Sequence, residues 1–333
     1  MNRRRRFHKL CVAFASALVL APMTSFEAQA QAADVFPSKP IKIVVPVAPG
    51  GNLDAVTRAV GERMSTWLKQ PVIVENRTGA SSSLGSRYVA QAAPDGYTLL
   101  AMANTFLSTP TVLSSAGYDV ARDFAGVSQM VRVPNIIIVP TGSPYRTLED
   151  LIVAARANPG GLTLATAGHG SVAHIAAERF MRHVGIKFTL VPYKGNGPAL
   201  IDMIGGRVAT MFDQVSTSAP RIEGKQLRGL AVTGETRVAR LSAVPTMAEA
   251  GVKDFIDYTF NGLAAPIKTP PEVLARLHQA VVEALKDPEL IKTFAAGSIE
   301  AVPSPSHQVF TQWMREEAAR YAKLAKDANF TVE

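Results

Sequence analysis

The chain has 333 residues, 47% hydrophobic and 19% charged, with a formal charge of +8 and one cysteine. Half of that charge sits in the first thirty residues, which hold four Arg, one Lys and one Glu; without them the charge falls to +4, too mild and scattered for a nucleic-acid surface. The single cysteine is Cys11, in the same stretch, so the remainder can form neither a disulfide nor a thiolate site.

That stretch reads as an export signal. Arg3 to Arg6 and Lys9 precede an apolar run from Leu10 to Pro22, and Ala28-Gln29-Ala30 fits a small-x-small cleavage site. The run is shorter than the ~20 residues a spanning helix needs. We therefore expect residues 1–30 to be removed, a mature start near Gln31, and a soluble periplasmic protein. The Arg4-Arg5-Arg6-Phe7-His8-Lys9 segment also partly matches a twin-arginine export pattern. What remains, about 300 residues, exceeds one comfortable core, and two lobes are expected.

Strand-like and helix-like segments then alternate, which predicts an α/β fold with mostly parallel sheets. Ile41 to Val45 is a strand, and Val47-Ala48-Pro49-Gly50-Gly51-Asn52-Leu53 leads into a helix whose residues Val56, Val60, Met64 and Trp67 share a face. Asn52 or Asp54 is the expected N-cap. Val72 to Glu75 is a short strand, Gly79 to Ser83 a turn, and a helix follows with Leu84, Tyr88 and Val89. Pro94-Asp95-Gly96 turns into a strand from Thr98 to Ala103, ending at Asn104-Thr105. Val131 to Val139 gives two β-rich pieces split by Pro134. Thr147 to Asp150 resembles a capping box, with Leu148, Leu151, Ile152 and Ala155 as the helix stripe.

Leu162 to Thr166 is a strand, followed by Ala167-Gly168-His169-Gly170-Ser171 and a helix from Val172 to His183. Leu190 to Tyr193 leads into Lys194-Gly195-Asn196-Gly197-Pro198, where Pro198 suits a first helical turn. Val208 to Phe212 is a strand ending in Asp213-Gln214, and Leu227 to Val232 is another. Thr269-Pro270-Pro271-Glu272 opens a helix reaching about Lys286, and the final helix runs from about Pro305 to Asp327. No linker cuts the chain, so lobes sharing several crossings are expected, with crossings near Gln129–Arg132 and Thr259–Leu263. The expected division is 31–130 plus 262–333 for one lobe and 131–261 for the other.

Three loops join a strand's end to a helix's start, the edge at which open α/β sheets bind ligands. The first, Val47 to Asp54, carries a glycine pair whose free N–H groups suit an anion. In the second, Gly168 and Gly170 flank His169, and Ser171 adds a hydroxyl. The third is Asp213-Gln214-Val215-Ser216. Catalytic patterns are weaker. Ser171 lacks the glycines of a nucleophile elbow, and His169 and His174 lack the glutamate context of a zinc protease. Gly195-x-Gly197-x-x-Leu200 misses the third glycine of a dinucleotide fingerprint. A secreted ester hydrolase using Ser171, His169 or His174, and Asp213 is the competing class.

At these residues the chain resembles the Bug-type extracytoplasmic solute receptors of tripartite tricarboxylate transporters. The matching motifs include Pro46-Val47-Ala48-Pro49-Gly50-Gly51, Val74-Glu75-Asn76-Arg77, Ala93-Pro94-Asp95-Gly96-Tyr97, Val191-Pro192-Tyr193-Lys194-Gly195, Met211-Phe212-Asp213 and Glu249-Ala250-Gly251. The resemblance implies a type II periplasmic-binding-protein fold, two α/β lobes closing on a small carboxylate held by backbone amides. It also implies no enzyme activity, no cofactor or metal, a monomer, and membrane transporter subunits as partners. A sensory receptor without transport is the alternative use. Carried over by position, the ligand residues are Val47, Ala48, Gly50, Gly51 and Asp54, then Ala167, Gly168, His169 and Ser171, with Asp213 across the cleft. Asn52, Ser83, Thr105 and Gln214 complete the candidate set. The departures lie at the ligand end: Ala167 and His169 replace a usual Ser and Asn, and Ser81-Ser82-Ser83 occupies a region normally richer in glycine. An ionised Asp213 would repel a di-acid, so it binds an amine, a hydroxyl or water, or else orients its loop.

Overall fold

The computed structural model describes residues 36–166, 172–193 and 196–327. The export segment and the Ala167–Ser171 loop lie outside the described residues, so that loop's four candidate site residues (Ala167, Gly168, His169, Ser171) have no structural account here.

The first half of the described chain alternates strand and helix as its pattern requires: β1 (Ile41–Val45), α1 (Asn52–Leu68), β2 (Val72–Asn76), α2 (Ser83–Ala90), β3 (Thr98–Ala103), α3 (Asn104–Val112) and α4 (Val120–Asp123). β4 follows as one strand of 17 residues, Phe124–Pro140. Then come α5 (Leu148–Ala157), β5 (Thr163–Thr166), α6 (Val172–Val184), β6 (Thr189–Pro192), α7 (Asn196–Ile204), β7 (Thr210–Gln214), α8 (Val215–Glu223) and β8 (Leu227–Val232). The chain returns through β9 (Tyr258–Pro266), α9 (Pro271–Ala284), α10 (Pro288–Ala296), β10 (Glu300–Ala301) and α11 (His307–Asp327).

The strands are ordered β2-β1-β3-β9-β4-β7-β5-β6, with β8 and β10 also on β4. Two parallel groups, β2-β1-β3 and β6-β5-β7, are joined through antiparallel pairs made by β4 and β9. The sheet is therefore mixed and not mostly parallel. A single long strand serves both groups, so its neighbours must come back along it.

The expected break at Pro134 is not there. Pro134 lies opposite Tyr258, the first residue of β9, and one residue before pairing with β7 begins at Asn135. A residue without an N–H is least costly at such a junction, where one ladder ends and the next has not begun.

Each group buries both faces. On the first, Ile41, Ile43 and Val45 pack with Val56, Val60 and Met64 of α1 and with Leu277 and Val281 of α9. Its other face holds Phe106, Tyr118, Phe124 and Phe310. On the second, Leu148, Leu151, Ile152 and Ala155 of α5 join Phe180, Phe212 and Phe255. The capping box at Thr147 and Asp150 is present as expected, whereas Leu84 is half exposed.

Helix α11 docks across β4 and β9 because two glycines make room for Phe310. A Cβ on Gly126 would lie 2.8 Å from that ring, and one on Gly262 would lie 2.6 Å from it.

Candidate functional site

Pro46 ends β1, and Ala48 to Gly51 stand exposed between it and α1. Gly50 has φ +86°, a left-handed conformation that glycine adopts at little cost, and no atom lies within 4 Å of where its Cβ would be. The cap of α1 is Gly51, in extended conformation with no side-chain capping bond, and neither Asn52 nor Asp54 takes that place. Glycine caps here because Asp54 reaches backwards. Its Oδ2 accepts the Gly50 N–H at 3.0 Å, two residues ahead of the helix.

Asp54 is the centre of a buried brace. Its carboxylate accepts from Arg58 Nε (3.1 and 3.2 Å) and from Asn76 Nδ2 (2.9 Å). Arg58 Nη2 also donates to Asn76 Oδ1 at 2.7 Å, and Asn76 Nδ2 donates to the Val47 carbonyl at 3.0 Å. Both ends of the loop are thus tied to one point. Burial works to raise the Asp54 pKa, but the bonds from Arg58, the Gly50 N–H and Asn76 outweigh it and hold the group at about 2.

This brace decides which loop groups remain to meet a ligand. The Gly50 N–H is spent on Asp54, and the Asn52 side chain donates to Asn261 Oδ1 at 3.0 Å. The first helical bond runs from Ala55 N to Gly51 O, so the N–H groups of Asn52 and Leu53 have no acceptor within the helix. Arg58 and Asn76 were not among the sequence candidates. Asn76 lies in a motif that carried the resemblance, which is the only signal the sequence offered.

Strand register collects the other candidates at the same sheet edge. Asn261, the partner of Asn52, stands opposite Ala103, and Asn104-Thr105 follow directly. Thr105 is half-buried in the first turn of α3. Thr109 Oγ1 of that helix donates to the Ser81 carbonyl at 3.1 Å, which places the Gly79–Ser82 turn beside α3. Four consecutive residues of this turn have positive φ: Gly79, Ala80, Ser81 and Ser82. Ser83 is fully buried, its hydroxyl donating to the Ala80 carbonyl at 2.6 Å, so it shapes the turn.

Asp213 and Gln214 end β7, where Gln214 stands opposite Asn135 and caps α8 without a side-chain bond. Asn135 in turn accepts from Thr259 Oγ1 (3.1 Å), two residues from Asn261, so the third loop leaves the sheet close to the level of the first. Asp213 is 2% exposed and both its oxygens accept hydrogen bonds: Oδ1 from Asn196 Nδ2 (2.6 Å), Oδ2 from Thr217 Oγ1 (2.5 Å) and Ser218 Oγ (2.6 Å). Its partners are an amide and two hydroxyls, the pattern of a group that ties α7 to α8. β5, from whose end the Ala167–Ser171 loop departs, runs parallel to β7.

Among the described residues no three His, Cys, Asp or Glu converge as a metal set would, and no helix is long and apolar enough to cross a membrane.

Residues 56–330 match the family described as the tripartite tricarboxylate transporter family receptor. BugT of Bordetella pertussis is 31% identical, over 98% of this chain and 98% of its own. The solved periplasmic binding protein BugD is 30% identical at TM-score 0.76, covering 90% of this chain and all of BugD. A protein of R. palustris solved with adipate is 33% identical at TM-score 0.77, over 88% of this chain and 98% of its own. This chain accordingly has the two-lobed fold of a periplasmic binding protein and is a receptor, not an enzyme. With the strand order and the braced loop at its edge, the chain belongs to the tripartite tricarboxylate transporter receptor family, as a Bug-type solute-binding protein.

Proposed function

We propose that this protein is an exported receptor that captures a small dicarboxylate between two lobes and delivers it to the membrane subunits of a tripartite transporter. The observation that carries this reading is the open loop before α1. It is braced from behind by Asp54, Arg58 and Asn76, so the N–H groups of Asn52 and Leu53 are held in place before a ligand arrives. A carboxylate there gains charge-assisted hydrogen bonds of roughly 1.5–3 kcal/mol each, and the helix N-terminus adds about 0.3–1 kcal/mol. Three such bonds at the upper end of that range give about 9 kcal/mol, so this loop approaches the ~8 kcal/mol of a micromolar complex only before ordering losses, and contacts from the second loop supply the rest.

Selection of a dicarboxylate rests on the relative solved with adipate. The Ala167–Ser171 loop is the partner we assign from the other lobe, with Ala167, Gly168, His169 and Ser171 as its ligand residues. The lobes exchange the chain where β4 changes partners, between Pro134 and Asn135, and again near Asp257 and Tyr258. That supports lobes close to the division expected from sequence. Export follows from the basic, then apolar, then small-residue start of the chain.

Gly51→Val tests this. Gly51 has φ −80°, and its nearest non-neighbouring atom would lie 4.0 Å from an added Cβ, so the variant folds, with a loss of about 1 kcal/mol for the poorer cap. Its side chain covers the helix N-terminus. Calorimetry against a panel of four- to six-carbon dicarboxylates should show micromolar binding by the parent and at least a tenfold loss in the variant. Equal binding by both proteins would refute the loop assignment. Turnover of carboxylate esters by the parent would favour a hydrolase.

A further inference from the structure

Helix α6 is carried by the second parallel group. Its residues Ala176, Ala177, Phe180 and Met181 lie in that group's core with Phe212 and Phe255. Ile175 does not join them. It is 5% exposed and packs into the core on the first group's far face, the one that holds Phe106, Phe260, Met314 and Tyr321. A side chain of one lobe is therefore buried by the other.

Arg179 stands one turn further along α6, on the same face as Ile175. It lines an open cavity of about 410 Å³ together with Asp257 and with Trp313, Glu317, Arg320 and Tyr321 of α11. Beside the buried Ile175, α6 and α11 thus border one solvent-filled space and do not pack against each other along their length.

The charged groups along this border keep to their own sides. Arg179 donates to the Asp257 carboxylate, where the chain leaves the second group, and to the Ile256 carbonyl at 3.1 Å. Arg182 pairs with Glu178 of its own helix at 3.8 Å, and Arg320 with Glu317 of its own helix at 2.5 Å. Moving α6 away from α11 leaves each of these charges paired and exposes the Ile175 side chain. An ion pair across the border would leave unpaired charges when broken. An apolar contact carries no such penalty and can be made and unmade repeatedly.

We propose that Ile175 is a closure residue: its side chain seats in the first group's core when the lobes are together and leaves it when they part, so it sets how long a ligand is held without touching that ligand. Retention of a ligand presupposes the receptor proposed above. Ile175 then stabilises the closed form alone, which slows escape and leaves the encounter rate as it is.

Cys11 is the one cysteine in the sequence, so in a Cys11→Ser background spin labels attach only at introduced sites, Arg182→Cys on α6 and Lys323→Cys on α11, both exposed. Electron–electron double resonance should give the parent the short separation of the seated helix. Ile175→Asp places a charge in that apolar seat, which a buried, unpaired carboxylate cannot occupy. Its label separation should lengthen while the melting temperature stays close to the parent's, and Ile175→Val should keep the short separation. With adipate as probe, stopped-flow should show unchanged association and, in Ile175→Asp, dissociation faster by roughly tenfold or more, the size expected for losing a buried aliphatic contact. An unchanged separation in Ile175→Asp would overturn the proposal. So would an Ile175→Asp protein that fails to fold, because Ile175 would then be fixed core. A lengthened separation with no adipate bound by either protein keeps the closure contact and counts against dicarboxylate capture instead.

Discussion

At the residue scale, Asp54 has the largest leverage on the site. It is 4% exposed and accepts from three partners, one of which, the Gly50 N–H, belongs to the exposed loop itself. Asp54→Asn puts an N–H₂ where donors already point. Arg58 is about half exposed, so solvent screens part of the loss. We expect urea denaturation to show a destabilisation of about 2 kcal/mol, with dicarboxylate binding weakened as the loop loosens. The pH dependence has a defined sign. A folded-state pKa of about 2, below the ordinary aspartate value of 3.8, gives stability that is fully present above pH 3.8 and is lost as the pH falls toward 2. Acid titration of the parent should show that loss, and Asp54→Asn should lack this share of it. The glycines of this loop were legible from sequence because strand, glycine pair and helix are neighbours in the chain. The brace was not, since Asn76 arrives from β2, whose pairing with β1 sets it opposite Val45.

At the scale of elements, the Gly79–Ser82 turn shows strain held by its surroundings. Ala80, Ser81 and Ser82 have φ of 46°, 51° and 74°, a run that L-residues avoid at about 1–2 kcal/mol each. The Ser81 carbonyl is used by Thr109, but that bond needs no side chain at position 81. Ser81→Gly should therefore raise the melting temperature, with a gain of about 1 kcal/mol, and no gain would show that the turn is relaxed in solution. Sequence did mark this place, as three serines where glycine is usual.

The docking of α11 makes the opposite demand. A Cβ at Gly262 would meet Phe310 at 2.6 Å and the Ser128 carbonyl at 3.0 Å. The second contact is to backbone and cannot swing away, so Gly262→Ala should cost about 1–3 kcal/mol in denaturant unfolding. Other elements were illegible for local reasons. α3 and α8 have no side-chain cap and each contains a proline, Pro110 and Pro220. α10 is absent from the sequence reading although its signals are local, with Asp287 capping Leu290 N at 2.7 Å and Pro288 at its start.

For the whole molecule, β4 and β9 are the elements that bind the two parallel groups into one sheet. If a ligand contacts both lobes only when they are closed, it must shift the population toward the closed form. Small-angle scattering should then show the radius of gyration fall when a tight dicarboxylate is added, and an unchanged value at saturation would rule out closure.

Local chain chemistry was enough to determine most of the alternating strands and helices, apart from elements such as α3, α8 and β9, together with the amphipathic face of α1, the capping box of α5 and the glycine loop at the end of β1. Each depends on residues within a turn or two of one another. The tertiary structure alone decided that β4 runs unbroken through Pro134, that the sheet is mixed, and that Asp213 ties α7 to α8. It also decided that the Gly50 N–H is already taken. Those outcomes rest on partners brought from distant parts of the chain, where pairing and burial override what any short segment prefers.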